Sequence, residues 1–225
     1  MSGDTFFKFN REQVTVTDHV GAKFDLDGDQ KVNLLNLRHF ALNSAQNGDY
    51  SQAIALLSQL IHHYPQNAID YNNRGLIYFQ SGESDKAFCD YNVALQINPN
   101  LVSAYNNRAN YYAAQGQLME AIADYDRALD INPSYVRAWI NRGITLRDLE
   151  LYEEAIDNFE VALLFDQLTA NILAERGRTY HLWGDWNCAI ADYHRALELI
   201  PSRPSKSQQH LKSQVNSWLY DLLAS

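Results

Sequence analysis

An all-α fold built from stacked helix pairs is what the sequence predicts, and three observations predict it. Segments 34–67, 68–101, 102–135, 136–169 and 170–203 align at a spacing of 34 residues without one insertion. Small residues recur at the eighth position (Ala41, Gly75, Ala109, Gly143, Gly177) and at the twentieth (Ala53, Ala87, Ala121, Ala155, Ala189). Large apolar or aromatic residues recur at the twenty-fourth: Leu57, Tyr91, Tyr125, Phe159 and Tyr193. A period of this length marks repeated supersecondary units, each of which buries its apolar face only against its neighbours. With 10 glycines and 5 prolines in 225 residues, a loop-rich β protein is disfavoured.

The chain begins differently. Residues 1–33 read as a β-like or flexible extension, because "TFFKFN", "QVTVTD" and "AKFDLD" alternate or carry β-branched residues. Three short strands cannot make an independent core. They are expected to fold on the first repeat, to stay mobile, or to lie in a groove of this or another copy. The stretch "DLDGDQKVNLLN", 25–36, places Asp25, Asp27 and Asp29 at the first three ligand positions of a calcium loop, with Asn33 as a further oxygen. Gln30 stands where such a loop needs glycine, and Asn36 where it needs a bidentate acid. The expected metal is therefore none, with calcium as the alternative and an acidic helix cap as the plainer reading.

Each repeat is expected to be helix A, a short turn and helix B. Small residues at positions eight and twenty let the two backbones approach, and the residue at twenty-four fills the space beside them. Gly48, Gly82, Gly116 and Gly184 fall in the turn, where a left-handed residue ends a helix. Pro65, Pro99, Pro133 and Pro201 stop the second helix. The fourth repeat departs twice, with Glu150 at the glycine position and Gln167 at the proline position. Residues 204–225 are expected to cap the last repeat, since Leu211, Val215, Trp218, Leu219 and Leu222 share one helical face.

These positions together resemble the tetratricopeptide repeat family. The resemblance implies a right-handed α-solenoid whose concave face is lined by the A helices. It also implies a non-catalytic scaffold or adaptor that binds an extended peptide or partner segment in that groove. The sixth position of each repeat should face the groove, and it holds His39, Asn73, Asn107, Asn141 and Glu175. An asparagine amide offers both a donor and acceptors, as the peptide backbone does. Asparagine is also a poor helix former, so its return to mid-helix asks for a reason. Asn73, Asn107 and Asn141 are read as an asparagine ladder, widened by Asn72, Asn106 and Asn110. Arg137, Arg147, Arg178 and His181 would add a basic patch suited to an acidic segment or a free carboxylate, partly offset by Glu175 and Asp148. Arg74, Arg108, Arg142 and Arg176 at position seven are read as structural, pairing with Asp90, Asp124 and Asp192 of helix B. The clamp of chaperone-binding relatives is incomplete in every triplet of repeats.

Composition narrows the function further. A net charge of −9 argues against general nucleic-acid binding. No run of 18 apolar residues predicts a membrane span, and the first residues show no secretory signal, so a cytoplasmic protein is expected. Cys89 and Cys188 are too few and too distant for a disulfide framework or zinc site. No catalytic motif is present, so neither an enzyme nor a cofactor is expected. The insertion-free repeats have a bacterial style. The competing functional reading is a calcium-responsive or self-associating module using residues 1–33 or the terminal helix.

Overall fold

The computed structural model describes residues 28–224, with side chains from Asn36 onward. Among these residues the chain forms eleven α-helices and no strand. It divides after Gln115 into two compact units. The first holds α1 (Gly28–Gln46), α2 (Tyr50–His63), α3 (Ala68–Gln80), α4 (Ser84–Ile97) and α5 (Val102–Ala114). The second holds α6 (Leu118–Ile131), α7 (Val136–Asp148), α8 (Tyr152–Leu163), α9 (Thr169–Trp183), α10 (Trp186–Glu198) and α11 (Lys206–Ala224). In the first unit α1 pairs with α2 and α3 with α4, and α2–α3 and α4–α5 contacts stack them. In the second, α7 pairs with α8 and α9 with α10, joined through α6–α7 and α8–α9.

One boundary differs from expectation. Helix α1 begins at Gly28, so residues 28–33 are helical and extend the first repeat. Gln30, Lys31, Leu34 and Leu35 are good helix formers, and they carry the helix back beyond the repeat register. The three β-like stretches lie outside the described residues. So do Asp25 and Asp27, whereas Asp29 and Asn33 lie in helical backbone. A calcium loop would need both of these in a winding turn.

The small-residue code works through close approach. A Cβ added at Gly75 would meet Tyr91 Cε1 at 2.8 Å and the Ala87 carbonyl oxygen at 3.1 Å. At Gly143 it would meet Phe159 at 3.0 Å, and at Gly177 it would meet Tyr193 at 2.9 Å. Tyr91, Tyr125 and Tyr193 are buried, and their hydroxyls fare differently. Tyr125 bonds to Thr145, the tenth residue of the following repeat. In the same register Tyr91 would meet Tyr111, which instead stacks on Phe88 at 4.8 Å. The Tyr91 hydroxyl is left buried without a partner.

The turns inside the first, second, fourth and fifth repeats share one geometry. The residue just before helix B donates its amide back six-to-one onto helix A: Glu83 to Tyr78 at 2.8 Å, Leu151 to Leu146 at 3.0 Å and Asp185 to Tyr180 at 2.9 Å. Gly82 and Gly184 take φ of 87° and 92° there. Glu150 occupies the same place at φ 62°, where a side chain is strained. Glu150→Gly should therefore raise stability by about 1 kcal/mol. Urea denaturation followed by circular dichroism measures this, and an unmoved midpoint would mean that the glutamate side chain offsets its own strain.

The missing proline at 167 also has a structural answer. Asp166 and Leu168 take positive φ of 50° and 55°, and together they turn the chain between α8 and α9. Phe165 and Leu168 pack against the cluster around Phe159 and Ile172, which holds the turn without proline.

Candidate functional site

The seventh-position arginines are structural braces. Arg74 donates from Nε and Nη2 to both carboxylate oxygens of Asp90 at 2.8 Å. Arg176 grips Asp192 in the same way at 2.7 and 2.8 Å. The sequence reading missed a second contact, to helix B of the preceding repeat. Arg74 donates to Ser58 at 3.0 Å and Arg108 to Asn92 at 2.7 Å. Arg142 pairs with Asp126 at 2.8 Å, and Arg176 with Glu160 at 3.7 Å. Each partner lies 16 residues upstream of its arginine, a spacing that was readable in the sequence. Tyrosines one turn away on either side steady the guanidinium: Tyr71 and Tyr78 lie 5.7 Å from Arg74, and Tyr105 and Tyr112 lie 5.7 and 6.0 Å from Arg108.

A further pair was not anticipated. Arg38 on α1 donates to both oxygens of Asp70 on α3 at 2.7 and 2.8 Å, and Asp70 is wholly buried. It fixes the first A helix against the second.

The asparagines divide into two kinds. Asn72, Asn106 and Asn110 are buried, so they do not widen an exposed polar strip as expected. The A helices pack face to face there, and the amides satisfy one another. Asn107 Nδ2 donates to Asn72 Oδ1 at 3.0 Å across α5 and α3, and Asn106 donates to Asn107 at 3.4 Å. Asn72 donates in turn to Ser103 at 3.4 Å. Asn107 belongs to this net and is only 8% exposed. Asn73, by contrast, is half-buried on α3 and makes no side-chain hydrogen bond among the described residues.

In the second unit Asn141 and Arg137 are half-buried on α7. The expected basic patch is smaller than its residue list suggested. Arg147 is 6% exposed and donates from Nη1 to the Glu175 carboxylate at 2.7 Å. Its charge is used inside the fold, because a buried guanidinium needs a counter-ion. Glu175 breaks the asparagine series for this reason. Asp148 lies 3.9 Å from Arg147, and burial pushes its carboxyl up to about 6 in spite of that guanidinium.

Arg178 is differently placed. It lies 5.5 Å over the Trp218 ring of α11 and donates to His181 Nδ1 at 3.2 Å. The Tyr193 hydroxyl lies 3.3 Å from the same nitrogen. Burial first, and Arg178 second, lower the His181 pKa, which suits the acceptor role of that ring nitrogen. The cap therefore contributes directly to the surroundings of two predicted site residues. No helix among the described residues is long and apolar enough to cross a membrane.

Comparison with known proteins agrees with this architecture. Family models described as tetratricopeptide repeat match residues 39–67, 102–135 and 136–167, and one described as TPR repeat matches residues 75–116. No curated protein sequence matches the chain. Among solved structures, a thermophilic TPR protein of Thermus thermophilus is similar at TM-score 0.72 and 20% identity, covering 83% of this chain and 99% of that one. MamA is similar at TM-score 0.59 and 18% identity, over 75% of this chain and 92% of its own. A tetratricopeptide repeat protein of Parabacteroides merdae is similar at TM-score 0.65 and 20% identity, over 86% and 74%. At these identities the structural likeness speaks for the fold, and the matched repeats together with the 34-residue register speak for the family. The chain belongs to the tetratricopeptide repeat family.

Proposed function

We propose that this chain is a non-catalytic adaptor whose A helices bind an extended segment of a partner protein. Tetratricopeptide repeats are protein–protein interaction scaffolds, and the side chains on these helices suit a peptide backbone. Asn73 in the first unit and Asn141 in the second supply amide contacts, with Asn107 held in register by Asn72. Arg137 and Arg178 favour a partner segment that carries a carboxylate. The observation that carries this reading is Asn73, a mid-helix amide with no hydrogen-bond partner among the described residues, beside neighbours whose amides are bonded to one another.

Two variants separate binding from folding. Asn73→Ala should leave the melting temperature unchanged or slightly raised, since alanine is the better helix former. It should lower affinity for a partner captured from the source cells severalfold, consistent with about 1 kcal/mol for a net hydrogen bond. Asn72→Ala should instead lower stability by ~1–3 kcal/mol, because it strips the acceptor from the buried Asn107 amide. Calorimetry for affinity and thermal unfolding for stability read both effects. Full affinity in Asn73→Ala would remove this asparagine from the interface.

A further inference from the structure

The turn between α9 and α10 carries two exposed tryptophans that the fold does not require. Trp183 is 45% exposed and Trp186 is 55% exposed. They line a surface cleft with Gly184, Asp185 and Asn187. In the second repeat the equivalent positions hold Ser81 and Ser84, and the same six-to-one turn forms there. The aromatic rings therefore do something other than shape the turn. Trp183 ends α9 and Trp186 begins α10, and neither is among the residues to which the adaptor function was assigned.

The one charged residue that lines the cleft is acidic. Asp185 sits between the two tryptophans, and its Oδ1 accepts the Cys188 amide at 3.1 Å. That hydrogen bond lowers its pKa, which keeps it a carboxylate. Helices α7, α8 and α9 pack together, so the turn of the fourth repeat lies at the same end of the unit. That turn offers Glu150, Glu153 and Glu154, together with Leu151 at 41% exposure. No lysine or arginine occurs in residues 148–154 or 182–188.

Indole faces attract cations, and a carboxylate beside them adds a charge-assisted hydrogen bond. We infer that the Trp183–Asp185–Trp186 cleft is a docking site for a cationic side chain, arginine above all, of a basic segment with interspersed apolar residues in a partner protein. The cation lies against the indole faces and pairs with Asp185. The apolar residues of the segment extend toward Leu151, and its further positive charges toward the glutamates of the fourth repeat's turn.

Fluorescence anisotropy on the full chain tests this with a labelled peptide of alternating arginine and leucine. Controls replace arginine by glutamate or by glutamine. The arginine peptide should bind, and neither control should. The double variant Trp183→Ala and Trp186→Ala keeps every charge and should weaken binding about tenfold or more, on the order of two cation–π contacts. Asp185→Asn removes the charge but keeps a good helix cap, and should weaken binding severalfold with an unchanged melting temperature. Equal binding by the tryptophan double variant would reduce the effect to diffuse attraction by an acidic protein and overturn the site. Equal binding of the glutamine peptide would mean apolar docking without a cation, and would overturn it as well.

Discussion

Arg38→Met should destabilise the first unit by about 3–5 kcal/mol, the scale on which one partner of a buried pair is lost. Asp70 is wholly buried, and both of its oxygens are held by Arg38 at 2.7 and 2.8 Å. Removing the guanidinium leaves that carboxylate without its bidentate partner between α1 and α3. The effect should be local, because repeat proteins are held together by neighbour contacts. Hydrogen exchange should show α1 and α2 losing protection first, with α9 and α10 unaffected. The double variant Arg38→Met with Asp70→Leu should recover most of the loss, since an apolar pair can replace a buried ion pair at little cost. A loss under about 1 kcal/mol in the single variant would show that Asp70 finds another partner.

Trp218→Ala should cost the second unit a comparable ~3–5 kcal/mol. The side chain is buried among Leu211, Val215, Tyr193 and Leu222. Its ring lies 6.0 Å from Tyr193 and 5.5 Å under Arg178. Truncation would empty the space between α11 and the last repeat, expose Ala196 and Tyr193, and free Arg178. Trp218→Phe should restore much of the packing and hold stability between the two. Urea denaturation monitored by α-helical circular dichroism measures the series. If Trp218→Ala melts at the wild-type midpoint, α11 does not act as a cap.

The fold was largely legible because the repeat places the same packing demand five times. Gly75, Gly143 and Gly177 meet an aromatic ring at van der Waals limits, so their spacing advertises the contact. The cap was legible for a similar reason, since its apolar stripe has no use except against a neighbour. The site was less so. Asn72 and Asn73 are adjacent in the chain and alike in chemistry, yet one lies buried in an amide net and the other has no partner among the described residues. Arg147 and Arg178 both read as groove cations, but Glu175 claims the first, whereas the second lies half-buried over Trp218. Such differences arise from which partner stands across the interface, and that is not written in the residue itself. The start of α1 was missed because local helix propensity at 28–35 carries the helix past the edge of the repeat.

The arginine braces give the repeats an order. Each arginine binds the preceding helix B at a residue that changes along the chain, from Ser58 to Asn92 to Asp126 to Glu160. The first two partners are neutral and the last two are anionic. A unit moved to another place in the array would keep its shape and its own helix pair, but its arginine would meet a neighbour of the wrong polarity. Repeats that look interchangeable in outline are thus addressed to particular neighbours, and the sequence of modules is specified at the seams between them.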